Sequence, residues 1–259
     1  MKIGVVQLDI LWENKSQNMK KCEEFFNEAS ALDCDLLVFP ELTLIGFTMD
    51  TALAESFSDS ESIACFAKYC HQYSIDCVFG LSEKADGKFY NTLVHINKCG
   101  ELTSKYRKMH PFSFGEEVYE AGDTCCSFTL MGENIGLSIC YDLRFPELFQ
   151  QLSKDCKCII VSANWPAKRS EHWRSLLQAR AIENQCYMIG CNCVGTQKSI
   201  SYSGNSIVVS PDGDIIASAE SSREQFICST IDLSEAEDLR KSFPVKYDRR
   251  TDIYRNFYE

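Results

Sequence analysis

Several absences bound this 259-residue chain before any motif is read. No stretch approaches the ~20 uninterrupted apolar residues needed to cross a bilayer. There is no dense basic patch, and the net charge of −11 would repel phosphate, so nucleic acid is not expected as a partner. The four histidines, His71, His95, His110 and His172, lie too far apart in sequence for paired metal ligation. No linker rich in Gly, Pro or Ser, no low-complexity tract and no short repeat interrupts the chain, so one domain over residues 1–259 is expected. The opening MKIGVVQLDILWEN lacks a basic region followed by a long apolar core and reads as a strand, not an export signal.

What the chain has in excess is cysteine. Fifteen is odd, so complete pairing within a monomer is impossible, and the spacings form no metal pattern. With no export signal, they read as reduced thiols of a cytoplasmic protein, most of them small core hydrophobes.

Hydrophobic patterning alternates between short apolar runs and amphipathic stretches. Strands are expected at residues 3–8, 35–40, 76–82, 91–97, 133–140, 158–164, 186–192 and 225–233, and two more flank the turn PDGD at 211–214. Helices are expected near 16–32, 60–73, after Pro146, over 170–184 and in a short polar segment after the last strand. In the 170–184 helix, Trp173, Leu176, Leu177, Ala181 and Ile182 are spaced for an apolar face. DGK at 86–88 and KCGE at 98–101 read as turns. Hairpins mixed with βαβ units imply an α/β fold with a mixed sheet, or a pair of sheets, covered by helices.

Three strand ends carry polar or reactive residues. DLLVFPEL places Glu41 after a buried strand, GLSICYDLRFPEL places Cys140 and Asp142 at a strand-to-helix turn, and IIVSANWP places Asn164 and Trp165 at another. Ligands gather beyond the carboxyl ends of such strands. Singly each is a weak signal, as is Lys108 in the basic run KYRKMH (105–110); they gain force only when they occur together in one order.

The segments FPELTLIGF (39–47), YRKMHPF (106–112) and CYDLRFPEL (140–148) resemble, in order and separation, the three hallmarks of the nitrilase superfamily of carbon–nitrogen hydrolases. ANWP (163–166) and HWRSLLQARAIEN (172–184) are similar to its omega-amidase branch. The resemblance implies a four-layer αββα sandwich with two mixed β-sheets, commonly assembled as a homodimer, with no cofactor and no metal. It implies Glu41 as general base, Lys108 as cationic stabiliser and Cys140 as nucleophile. It also implies a second glutamate soon after the lysine, taken as Glu117 with Glu116 as the rival. Tyr141 is expected to contribute its backbone N–H, Arg144 to meet a substrate carboxylate, with Lys168 and Arg169 as alternatives, and Trp165 to line the pocket. Asp142 is expected to organise the turn at Cys140. The implied activity is hydrolysis of a small dicarboxylate monoamide such as 2-oxoglutaramate or succinamate. An N-carbamoyl amidohydrolase is the alternative enzyme, and a silent binding protein on the same fold the alternative class.

Overall fold

The computed structural model describes residues 1–257. In chain order the elements begin β1 (Lys2–Gln7), α1 (Lys15–Ala31), β2 (Leu36–Val38), α2 (Glu61–Tyr73), β3 (Asp76–Ala85), β4 (Lys88–Ile96) and β5 (Leu102–Arg107). They continue with β6 (Cys126–Leu130), β7 (Glu133–Ile139), α3 (Pro146–Leu152), β8 (Cys158–Ala163), α4 (Ser170–Asn184) and β9 (Tyr187–Asn192). The chain then forms β10 (Val194–Gln197), β11 (Ile200–Ser203), β12 (Ile207–Val209), β13 (Ile215–Ser218), β14 (Gln225–Thr230), α5 (Leu233–Ser242) and a last short helix, α6 (Thr251–Tyr254).

These strands make two six-stranded sheets, ordered β14-β1-β2-β3-β4-β5 and β13-β12-β9-β8-β7-β6, with β10-β11 as a separate hairpin. In each sheet two parallel pairings lie at the centre (β1-β2-β3 and β7-β8-β9) with antiparallel strands on both sides. Such mixed sheets follow from the local connections: helices return the chain between parallel strands, and tight turns such as Asp86–Gly87 reverse it between antiparallel ones. Gly87 at φ +75° and Asp86 at φ +52° supply the left-handed conformations that this two-residue hairpin requires.

The sheets face each other. Ile3, Val5, Val38 and Val78 of the first share one buried cluster with Ile135, Leu137, Ile160 and Ile189 of the second. Phe26 of α1 and Phe66 of α2 pack with Phe39 and Phe79 on the outer face of the first sheet, where the Phe66 and Phe79 rings stack with centroids 3.9 Å apart. Trp173, Leu177 and Ala181 of α4 cover the second sheet. The result is the four-layer αββα sandwich expected from the sequence.

Two expected details change. On α4, Leu176 is only partly buried and Ile182 lies exposed; Arg180 takes a buried place instead, because its guanidinium donates to the Leu143 carbonyl at 2.9 and 3.2 Å. β2 is three residues long, since Phe39 already leaves the ladder to lead into Glu41. All fifteen cysteines are free, and ten of them are buried, in keeping with a role as small apolar side chains. No described helix is long and apolar enough to cross a membrane. Of the aromatic C-terminal segment, Phe243, Tyr247 and Phe257 are exposed, while Lys246 donates to the Ser153 carbonyl at 2.7 Å; Tyr258 and Glu259 lie outside the described residues.

Candidate active site

The carboxyl ends of β2, β5, β7 and β8 converge at one end of the seam between the sheets. After β2 the chain turns sharply at Leu42, a non-glycine residue at φ +46°. The turn fits because Gly80 lies beneath it: a Cβ there would meet the Leu42 nitrogen at 2.5 Å. This places Glu41, fully buried, against the end of β5. Lys108, also fully buried, donates to Glu41 Oε1 at 2.8 Å and to Glu116 Oε2 at 2.7 Å. Asn91 Nδ2 donates to Glu41 Oε1 at 2.7 Å, and the Asn164 backbone N–H to Glu41 Oε2 at 2.8 Å. Buried charges persist when paired and hydrogen-bonded in this way.

Cys140 begins the 3-10 turn Cys140–Arg144 at φ +45°. A non-glycine residue held in this region costs roughly 1–2 kcal/mol, so the surroundings must enforce it. Asp142 does so. Its carboxylate accepts from the Tyr106 hydroxyl at 2.7 Å, the Ile139 N–H at 2.9 Å, and the His110 N–H at 3.0 Å, with His110 Nδ1 2.8 Å away. Arg180 grips the next carbonyl from α4. The elbow is therefore clamped from both sheets and one helix.

Electrostatics assigns the protons. Burial, opposed by the Lys108 ammonium and reinforced by Glu116, leaves the Glu41 carboxyl above its ordinary value. Burial works against the charge on Lys108, but Glu41 and Glu116 outweigh it and hold the ammonium well above the usual lysine range. For Cys140, burial first and the Glu41 carboxylate second push the thiol well above its ordinary value; Lys108 offsets only part of this. The cysteine at rest is a protonated thiol within hydrogen-bonding reach of Glu41.

Cys140 and Lys108 line a cavity of about 760 Å³, within the range of small-molecule sites. Its walls include the aromatic rings of Phe47, Phe112, Tyr141, Trp165 and Tyr202. Arg144, Lys168 and Arg169 also line it. Among the described residues, no ion pair engages any of these three cations. Arg144 is supported by aromatic faces, with its guanidinium 4.7 Å from the Trp165 ring and 5.9 Å from that of Tyr141. Burial, with Arg169 adding to it, lowers the Arg144 pKa. No group of three or more His, Cys, Asp or Glu among the described residues is arranged to hold a metal.

Comparison with known proteins gives this geometry its context. Residues 2–241 match the carbon-nitrogen hydrolase family. The chain belongs to that family. A 2-oxoglutaramate amidase of Bacillus subtilis (strain 168) is 36% identical, over 97% of this chain and 98% of its own length. Omega-amidase YafV of Escherichia coli (strain K12) is 30% identical over 96% of each. The crystal structure of Saccharomyces cerevisiae Nit3, a member of branch 10 of the nitrilase superfamily, matches with a TM-score of 0.89 at 28% identity, over 96% of each chain.

In this carbon–nitrogen hydrolase, Glu41, Lys108 and Cys140 come together as the sequence suggested, with Tyr141, Arg144 and Trp165 on the cavity wall. Glu117 does not join them. It is exposed, whereas Glu116 is 1% exposed and bonded to Lys108, so the second glutamate is Glu116. The physical reason is a local turn. The Glu116 N–H donates to the Phe112 carbonyl at 2.9 Å and its carboxylate accepts from the Phe112 N–H at 2.6 Å, which aims residue 116 inward and leaves 117 outside. Trp165 is both wall and structure, since its Nε1 also donates to the Arg169 carbonyl at 2.7 Å. The sequence reading missed Asn91 and Arg180. An amide within the apolar run of β4, and an arginine on the covered side of α4, were the only signals available.

Proposed function

We propose that this carbon–nitrogen hydrolase is a thiol-dependent amidase that releases ammonia from the terminal amide of a small dicarboxylate monoamide of the 2-oxoglutaramate or succinamate type. In the first step, Glu41 takes the Cys140 proton as the sulfur attacks the amide carbonyl. Lys108 and the Tyr141 backbone N–H stabilise the resulting oxyanion, where preorganised donors in a dry site are most effective. The tetrahedral adduct collapses as Glu41 returns the proton to the departing nitrogen, releasing ammonia and leaving a thioester on Cys140. Water then attacks the thioester, giving its proton to Glu41. The acid leaves as Cys140 is reprotonated. Glu116 holds Lys108 in place throughout, and no step draws on a metal or cofactor.

The observation that carries the substrate class is a set of cations with no ion-pair partner among the described residues. A cavity with a thiol on its floor and Arg144, Lys168 and Arg169 on its wall is built for a ligand with a carboxylate at one end and an amide at the other. The names of the relatives from B. subtilis and E. coli agree with that reading. We infer further that the enzyme is a cytoplasmic homodimer; the exposed Ile182 and Phe243, which line one shallow depression between α4 and α5, support a covered surface there. The deciding experiment is an ammonia-release screen over dicarboxylate monoamides, neutral amides, N-carbamoyl compounds and nitriles. Preference for the monoamides is expected. Preference for carbamoyl compounds would reassign the enzyme within the family, and a flat screen with an unreactive Cys140 would overturn catalysis altogether.

A further inference from the structure

Asn91 sits in the middle of the charged cluster, although no part of the mechanism above uses it. It is 1% exposed on β4. Its Nδ2 donates to Glu41 Oε1 at 2.7 Å and to Glu116 Oε1 at 2.8 Å, and its backbone carbonyl accepts from the Lys108 N–H at 2.8 Å. One residue therefore touches the base, the second glutamate and the backbone of the lysine between them.

The other end of the same amide is idle. Asn91 Oδ1 is buried and has no hydrogen-bond partner among the described residues. An amide retained only to hold a fold is ordinarily satisfied at both ends. Here the orientation is dictated by the donor end: flipping the amide would turn its carbonyl oxygen toward two carboxylates. The charge count explains why an amide suits this place. Glu41 and Glu116 carry two negative charges against one positive charge on Lys108. A neutral group with two N–H bonds joins the carboxylates without adding a second cation, which would make Glu41 a weaker base.

We propose that Asn91 is a positioning residue for the catalytic base, dividing its N–H₂ group between Glu41 and Glu116 so that Glu41 stays ionised and aimed at Cys140. The inference rests on the reading of Glu41 as base. The other groups facing Glu41 are Lys108, Glu116, the Cys140 thiol, Cys193, Tyr119, Tyr202 and the Asn164 backbone. Of these, Lys108, the Asn164 N–H and the Cys140 thiol itself are the donors that would remain to Glu41 without Asn91.

The test compares Asn91→Ala and Asn91→Asp with wild type, measuring the pH dependence of kcat/KM and of Cys140 alkylation by iodoacetamide, with folding followed by circular dichroism. A hydrogen bond to the ionised carboxylate favours that form, so its loss makes Glu41 easier to protonate. The acid limb of both profiles should move up by about one to two pH units, so that kcat/KM at pH below the limb should fall roughly ten- to a hundredfold. Asn91→Asp matches the shape of asparagine but adds a third carboxyl, so its limb should move further and its kcat/KM below the limb should be the lower of the two. A structural role predicts the reverse order, because the near-isosteric aspartate would pack better than alanine; it also predicts an unmoved limb. Either result in folded protein overturns the inference, and the aspartate variant keeps the test open where the alanine variant does not fold. The control is Glu41→Gln. If it keeps wild-type turnover, the assignment of the base fails; if it is inactive while the Asn91 limbs stay in place, only the role of Asn91 fails.

Discussion

Replacing Arg144 with methionine tests the substrate assignment most directly. The change removes the guanidinium while keeping an unbranched apolar side chain against Trp165, whose ring lies 4.7 Å from the guanidinium carbon. Among the described residues it breaks no ion pair, and the polar contact it removes is that of the guanidinium with His172 Nδ1 at 3.4 Å. The loss should therefore appear in substrate recognition. A hydrogen bond to a charged group contributes about 1.5–3 kcal/mol, or roughly 10–200-fold in kcat/KM. Arg169 lines the same cavity and can share the carboxylate, which favours the lower part of that range for the single variant and a larger loss for Arg144→Met with Arg169→Met. The assay is ammonia release from succinamate and from butyramide, which differ by the distal carboxylate, with folding checked by circular dichroism. The loss should be confined to succinamate. Equal losses on both substrates would refute the reasoning and make Arg144 a support of the elbow that starts at Cys140.

Glu116→Gln should lower turnover on the scale of a lost charged contact to Lys108, about tenfold or more, whereas Glu117→Gln should be nearly silent; steady-state kinetics of the pair checks the assignment. In wild type, kcat/KM should fall on the acid side through a midpoint above the ordinary glutamate value of 4.5, because burial raises the carboxyl that must be ionised to accept the thiol proton; a limb at or below that value would contradict the site. Peptide mapping after limiting iodoacetamide should find exposed Cys99 alkylated early without loss of activity, and inactivation should track Cys140 alone, even in a Cys99→Ser background.

The sequence carried the strand ends that bear Glu41, Cys140 and Trp165 because buried strands announce themselves by apolar runs, and their ends by the first polar residue. It carried α4 for the same reason, by period. It could not choose between Glu116 and Glu117, since loop 109–125 has no periodicity, and adjacent glutamates there are distinguished only by a hydrogen-bonded turn at Phe112. β5 was legible only in part because its outward Lys105 and Arg107 disguise a strand as a basic run. Asn91 was illegible in kind: its meaning depends on two carboxylates 50 and 25 positions away, and no local pattern records such a meeting.

The seam between the sheets has a consequence for the life of the chain. Glu41, Asn91, Lys108 and Glu116 all precede the second sheet in sequence, and Cys140 and Asn164 arrive with it. During synthesis the side chains of Glu41, Asn91, Lys108 and Glu116 are all made before the nucleophile. The strained turn at Cys140 is held by Asp142 reaching back to Tyr106 and His110, so it takes its working shape only when the later half docks on the earlier one. The arrangement around Cys140 is therefore a property of the two sheets together, and the first of them is finished only by β14, the last strand of the chain.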